Sequence, residues 1–288
     1  MEPERGVGVP IVRKPEWLQK KINPGDQSSM RQLLGDLRLN TVCQQALCPN
    51  ISECFSCGQA TFLILGTHCT RLCSFCNVEK AEPLPIDPDE PERIAVAVAR
   101  LELEHVVITS PTRDDLSDGG ARMYATVVAA IRNSSPATRI EVLIPDLQGR
   151  AESLEVVTSS HPHILGHNIE TVPRLYHIRI GADYRRSLEV LRTCRELAPE
   201  IMTKSGVMLG MGEREDELLQ VLADLREAGC VYVSMGQYLA PSRNHFPVQE
   251  YIVPEKFEKL RSAALQLGFL HVESGPYVRS SYNAGAYK

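Results

Sequence analysis

No stretch of this 288-residue chain approaches the roughly 20 consecutive apolar residues needed to cross a membrane. The first residues, MEPERGVGVPIVRKPEWLQKK, contain no apolar core of the kind a secretory leader uses. They also begin too acidic for a typical transit peptide. A repeat of fixed period, a low-complexity linker and a basic excess are all missing. The formal net charge is −5, from 31 Lys and Arg against 36 Asp and Glu. Nucleic-acid binding usually shows as a basic patch, so no nucleic-acid partner is expected. The short basic run KPEWLQKK reads as a solvated face. Cysteine is scarce over most of the chain: outside residues 41–76 there are only Cys194 and Cys230. The odd total of nine also sits badly with a complete disulfide framework. These absences point to a protein of a reducing, cytoplasmic compartment with neither a membrane nor a nucleic-acid partner. A chain of this length buries enough core to fold without disulfide staples.

What is present is an alternation of short β-branched runs and amphipathic helical patterns. Strands are expected at 61–65 (TFLIL), 105–110, 139–144, 163–169, 202–209, 231–236 and 269–274. Helices are expected at 91–102, 119–132, 182–197, 214–228 and 254–267. A further helix should start near Ser28, with Ser28 or Ser29 as its cap. Such alternation implies βαβ units and a parallel sheet. About six repeats fit an α/β fold of the partial (β/α)6 TIM-barrel type, and a doubly wound sheet is the alternative. Either way the chemistry belongs beyond the carboxyl ends of the strands. The expected organisation is an N-terminal extension (1–60), a barrel (61–268) and a C-terminal strand and tail (269–288).

The segment Thr41–Cys76, TVCQQALCPNISECFSCGQATFLILGTHCTRLCSFC, holds the other seven cysteines. Cys54-x-x-Cys57 and Cys73-x-x-Cys76 match zinc-ribbon spacing, which would make the chain a zinc-binding module. That reading leaves Cys43, Cys48 and Cys69 without a task and lays its ligands across TFLIL, which reads as a buried strand. An iron–sulfur reading sorts the thiols into Cys69-x3-Cys73-x2-Cys76, directly after the first expected strand, and Cys43-x4-Cys48-x5-Cys54 upstream. Three thiolates on a four-iron cluster leave one iron open for a substrate or cofactor. Two triplets account for six of the seven thiols, leaving Cys57 as a spare. Cys194 and Cys230 read as buried core thiols.

C-x3-C-x2-C after the first strand of a partial barrel resembles the signature of radical S-adenosylmethionine (SAM) enzymes. The upstream C-x4-C-x5-C resembles the added signature of lipoyl synthases. The resemblance extends through CPNISEC, RDDLSDGGA, HNIETVPRLY, GADYRRSL, KSGVMLGMGE, GQYLAPS and the terminal GPYVRSSYNAGAYK. The RSSY tail, and the absence of an appended RNA-binding domain, separate it from methylthiotransferases.

The resemblance implies insertion of two sulfur atoms at carbons 6 and 8 of a protein-bound octanoyl-lysine. Those carbons offer no acidic hydrogen and no leaving group, so acid–base and nucleophilic catalysis have nothing to work on. It implies two four-iron, four-sulfur clusters and SAM as cofactors. The cluster on Cys69, Cys73 and Cys76 would cleave SAM. The cluster on Cys43, Cys48, Cys54 and Ser281 would be dismantled as the sulfur source. By the same resemblance Phe75, Thr109, Ser110, Asn168, Glu170 and Gly210 contact SAM. Arg279 bonds a substrate or cluster-bound group, or else makes a surface salt bridge. The expected partners are an octanoylated lipoyl-carrier domain and a low-potential electron donor of ferredoxin or flavodoxin type, met by a monomer. Extension and tail should together close the barrel mouth.

Overall fold

The computed structural model describes residues 14–19, 28–57 and 59–287. The part of the N-terminal coil at 1–13 and 20–27, with the end of the basic run, lies outside the described residues. The extension contributes α1 (Ser28–Asp36), the two-residue β1 (Asn40–Thr41) and two short helices, α2 (Val42–Gln45) and α3 (Ile51–Ser56). Ser28 and Ser29 are both helical residues of α1, which is described from Ser28 onward.

The barrel follows as β2 (Thr61–Leu63), α4 (Glu90–Arg100), β3 (His105–Thr109), α5 (Ala121–Ser134), β4 (Arg139–Leu143), α6 (Ala151–Thr158), β5 (Ile164–Gly166), α7 (Tyr184–Leu197), β6 (Met202–Leu209), α8 (Glu215–Glu227), β7 (Tyr232–Gln237), α9 (Pro254–Gln266) and β8 (His271–Gly275). Helix α6 has no counterpart among the helices expected from sequence. It is a short element of eight residues ending in Val-Val-Thr, whose β-branched side chains read poorly as helix.

The eight strands lie side by side in chain order, with β2 to β8 parallel and β1 antiparallel to β2. A doubly wound sheet would reverse its strand order, so sequential order settles the architecture as a barrel. Among the described residues no ladder joins β8 back to β1, and the barrel is open, as expected of a partial (β/α)6 form.

Alternation along the strands explains the layers. Outward residues such as Phe62, Ile108 and Val142 pack on Ile94, Val98, Tyr124 and Val127 of the helices. Val207, Val233 and Met235 pack likewise on Leu222, Leu225 and Phe257. Cys194 and Cys230 are buried in these cores.

The inward face is different. At the barrel floor Lys204 Nζ lies 2.9 Å from Glu141 Oε1, and both side chains are 1% exposed. The C-terminal tail closes the barrel from within, running down the lumen after β8. A Cβ on Gly236 of β7 would lie 2.0 Å from the Val278 carbonyl oxygen, so only glycine lets the tail pass there. Ser280 Oγ then donates to Asn168 Oδ1 (3.0 Å), and Tyr287 ends the path fully buried over Lys204.

Candidate active site

Cys69, Cys73 and Cys76 occupy the loop beyond the carboxyl end of β2. Backbone bonds tie this loop to its surroundings: Cys69 N donates to Glu79 O (2.8 Å) and Ser74 N to Ile178 O (2.9 Å). All three thiols are free. They are near enough to act on one another electrostatically. Burial pushes the Cys73 thiol up to about 12, Arg179 draws it back, and Cys76 and Cys69 push it further up. Burial pushes Cys76 up to about 11, with Cys69 and Glu170 adding to it. Such thiols stay protonated at neutral pH unless a metal takes them, and metal coordination deprotonates a thiol outright. Among the described residues no three His, Cys, Asp or Glu side chains converge on a single metal-ion position. A four-iron cluster needs no such point, because each thiolate takes a different iron.

Arg71, inside this cysteine loop, is a clamp the sequence reading missed. Its guanidinium is 6% exposed and forks onto Asp114 (Nε to Oδ2, 2.7 Å) and Asp146 (Nη2 to Oδ1, 2.7 Å). Arg186 Nε adds a second cation to Asp146 at 2.8 Å. The loops after β2, β3 and β4 and the start of α7 are thereby locked together.

Around this loop lie the residues expected to contact SAM. Thr109, at the end of β3, donates to Leu143 O (2.9 Å). Ser110 Oγ shares a hydrogen bond with Tyr124 Oη (2.9 Å), which also reaches Leu143 O (2.9 Å). Asn168 follows β5 and holds the tail through Ser280. Glu170 has a positive φ of 67°, and its amide donates to Gly206 O (2.9 Å). Burial raises its carboxyl pKa while Arg179 lowers it. Arg179 was missed by the sequence reading, yet it bonds Tyr176 Oη (2.6 Å) and acts on both Cys73 and Glu170. Phe75 packs, partly buried, against the core that includes Val207 and Met211. Gly210 ends β6 with φ 103°, where a Cβ would meet Gln237 and the Glu250 carbonyl. The Glu213 carboxylate accepts from both Gly210 N and Met211 N, fixing that turn. The loop RDDLSDGGA is largely local: Asp118 accepts from Gly120 N and Arg122 N and so caps α5.

The second triplet lies at the other end of β2. Cys43, Cys48 and Cys54 line one cleft with Thr61, Arg279 and Ser281. Burial raises Cys43, the Thr61 amide lowers it, and Cys48 raises it. Ser281 Oγ accepts from Thr61 Oγ1 at 2.7 Å. Arg279 pairs with no carboxylate among the described residues; burial lowers its pKa and Cys48 acts against that. Cys57 is exposed and does not line the cleft. Cys54 and Cys76 therefore sit at opposite ends of a strand, which leaves the zinc ribbon without support.

An open parallel barrel with three thiols in the loop after its first parallel strand defines a class, and residues 63–225 match the model of the Radical SAM superfamily: the chain is a radical SAM enzyme. Curated lipoyl synthases match over nearly the whole chain. That of Geobacter metallireducens is 67% identical over 277 residues, 96% of this chain and 98% of the relative. That of Geotalea daltonii is 64% identical, covering 96% and 94%. The chain belongs to the lipoyl synthase family. A more distant lipoyl synthase, from Alkaliphilus metalliredigens, is still 55% identical over 95% of each chain. Solved structures share the fold at low identity. Methylornithine synthase (PylB) matches with TM-score 0.55 at 13% identity, covering 86% of this chain and 78% of that one. Streptococcus suis SuiB bound to S-adenosylmethionine matches with TM-score 0.57 at 10% identity, covering 90% and 60%. As a radical SAM lipoyl synthase the enzyme uses SAM and iron–sulfur clusters, takes an octanoylated lipoyl carrier as substrate and needs a reductant.

Proposed function

We propose that Cys69, Cys73 and Cys76 hold the SAM-cleaving four-iron cluster. Cys43, Cys48, Cys54 and Ser281 hold the second cluster, consumed as the sulfur donor for carbons 6 and 8 of the octanoyl chain. One observation carries this reading: the two thiol triplets lie at opposite ends of β2, the second with Ser281 beside it. The first cluster, when bound, supplies the electron that turns SAM into a carbon-centred radical source. The remaining work falls to the protein. Glu170 and Arg179, half-buried and of opposite charge, suit the ammonium and carboxylate of the methionine moiety. Thr109 and Ser110 add two hydroxyls at the end of β3. Asn168 accepts a hydrogen bond at the ribose level, Phe75 flanks the adenine, and Gly210 lets backbone approach it. Arg279 presents its guanidinium to the cleft, and the tail inside the lumen excludes water.

Three parts divide this labour: the extension (1–60), the barrel (61–268), and the C-terminal strand and tail (269–288), whose strand β8 completes the sheet. A monomer of the cytoplasm, served by a ferredoxin- or flavodoxin-type donor, fits a chain rich in free thiols without a dimerisation element in its sequence. Iron, sulfide and zinc per chain test the reading, measured on anaerobically reconstituted wild type and Cys43→Ala together with turnover of an octanoyl-lysine peptide. About eight irons falling to about four, with SAM cleavage kept and sulfur insertion lost, is the expected result. Equal iron in both proteins, or zinc without sulfide, would overturn it.

A further inference from the structure

Ser281 lies on the irregular segment after β8, outside any strand or α-helix, and such a segment needs a tie to keep its place. Its side chain is held by Thr61 through a single neutral hydrogen bond. The tie lies six residues further on. Tyr287, next to last in the sequence, is 0% exposed. Its ring centroid lies 5.1 Å from Tyr232 and 4.6 Å from His271, and Lys204 Nζ stands 3.7 Å from it. Lys204 is itself fixed by Glu141 at the barrel floor. The spacer between Ser281 and Tyr287 is stiff. Tyr282 N donates to Arg279 O (2.9 Å), Ala286 N to Asn283 O (2.9 Å), and Asn283 Nδ2 to Glu273 Oε1 (3.0 Å). Asn283 takes a left-handed conformation, φ 53°, that turns the chain towards the floor.

We propose that Tyr287 is a positioning residue: by docking its ring on the Lys204–Glu141 pair it anchors the tail and holds Ser281 against the second thiol triplet. This rests on the assignment of Ser281 made above. The ring does the work, since the Tyr287 hydroxyl is buried with no hydrogen-bond partner among the described residues. A desolvated ammonium over an aromatic face is an attractive contact that needs no hydroxyl.

The test uses the reconstituted full chain as wild type, Tyr287→Phe, Tyr287→Ala and Ser281→Ala. It reads hydrogen exchange over residues 276–287, the Mössbauer signature of the second cluster, and SAM cleavage apart from sulfur insertion. Tyr287→Ala should speed exchange in the tail at least ~10-fold, since local opening no longer has to break the anchor. It should also give the cluster spectrum of Ser281→Ala, and still cleave SAM without inserting sulfur. Tyr287→Phe should match wild type in every readout. If Tyr287→Ala fails to fold, Gly236→Ala, which drives a methyl into the Val278 carbonyl, should unseat the same tail and give the same pattern. Wild-type exchange in Tyr287→Ala would overturn the anchor. So would a wild-type spectrum in Tyr287→Ala where Ser281→Ala changes it. A wild-type spectrum in Ser281→Ala itself would refute the serine assignment, and the exchange data would then decide the anchor alone.

Discussion

Thr61 and Ser281, 220 positions apart, share a 2.7 Å hydrogen bond between their hydroxyls. The bond joins the first residue of β2 to the tail and puts the serine in the cleft that Cys43, Cys48 and Cys54 line. As a ligand of the proposed second cluster, a serine alkoxide would be harder than its thiolate neighbours, and we propose that this makes it the one released when the cluster is taken apart.

If that is its use, Ser281→Cys should load iron as wild type does but insert sulfur more slowly, because a fourth thiolate saturates and steadies the cluster. Single-turnover product analysis checks this. Both sulfurs inserted at an undiminished rate would count against a role for the serine oxygen.

Arg71 fixes the cysteine loop through two carboxylates, and Asp146 is fully buried. Arg71→Ala would leave two acids facing one another with only Arg186 to compensate. Breaking such a buried pair costs about 3–5 kcal/mol. Denaturant unfolding of the cluster-free protein should show a loss of that size. Arg71→Lys should recover only part of it, since an ammonium cannot fork onto both carboxylates. An unchanged midpoint in Arg71→Ala would remove the clamp.

The spare thiol gives a clean contrast. Cys57 is exposed and away from the cleft, whereas Cys43 is buried within it. Cys57→Ala should keep about eight irons per chain and Cys43→Ala about four. A loss of iron in Cys57→Ala would mean that the upstream triplet is misassigned.

His167 carries a pH prediction. It is 0% exposed, its Nδ1 is 3.0 Å from Ile144 O, and its Nε2 is 3.0 Å from Ser187 Oγ. Burial, aided by Arg179, lowers its pKa from 6.5 to about 4. The unfolded chain therefore binds the proton first as pH falls, so stability is full above about 6.5 and declines towards about 4. The decline is on the order of 3 kcal/mol. His167→Gln should flatten this part of the stability–pH curve. A wild-type slope in that variant would assign it to other groups.

The sequence by itself determined the repeating βα units, because β-branched runs and helical periodicity are local properties that survive without partners. Strands at 202–209 and 105–109 match their expected positions to within a residue. The grouping of six of the seven clustered thiols into two triplets was legible in the sequence too, since spacing is written in near-consecutive residues. Short elements were less legible. The strand expected at 163–169 is only Ile164–Gly166: His167 N still reaches Lys204 O of β6, but the Ile169 amide goes to the Ser205 side chain instead of the ladder. Only the tertiary structure decided how residues far apart in sequence meet: Thr61 with Ser281, Arg71 with Asp146, and Tyr287 with Lys204. None of these pairs leaves a trace in local periodicity. Each exists because a barrel brings strand ends and a returning tail into one low-dielectric lumen, where a polar group must find a partner.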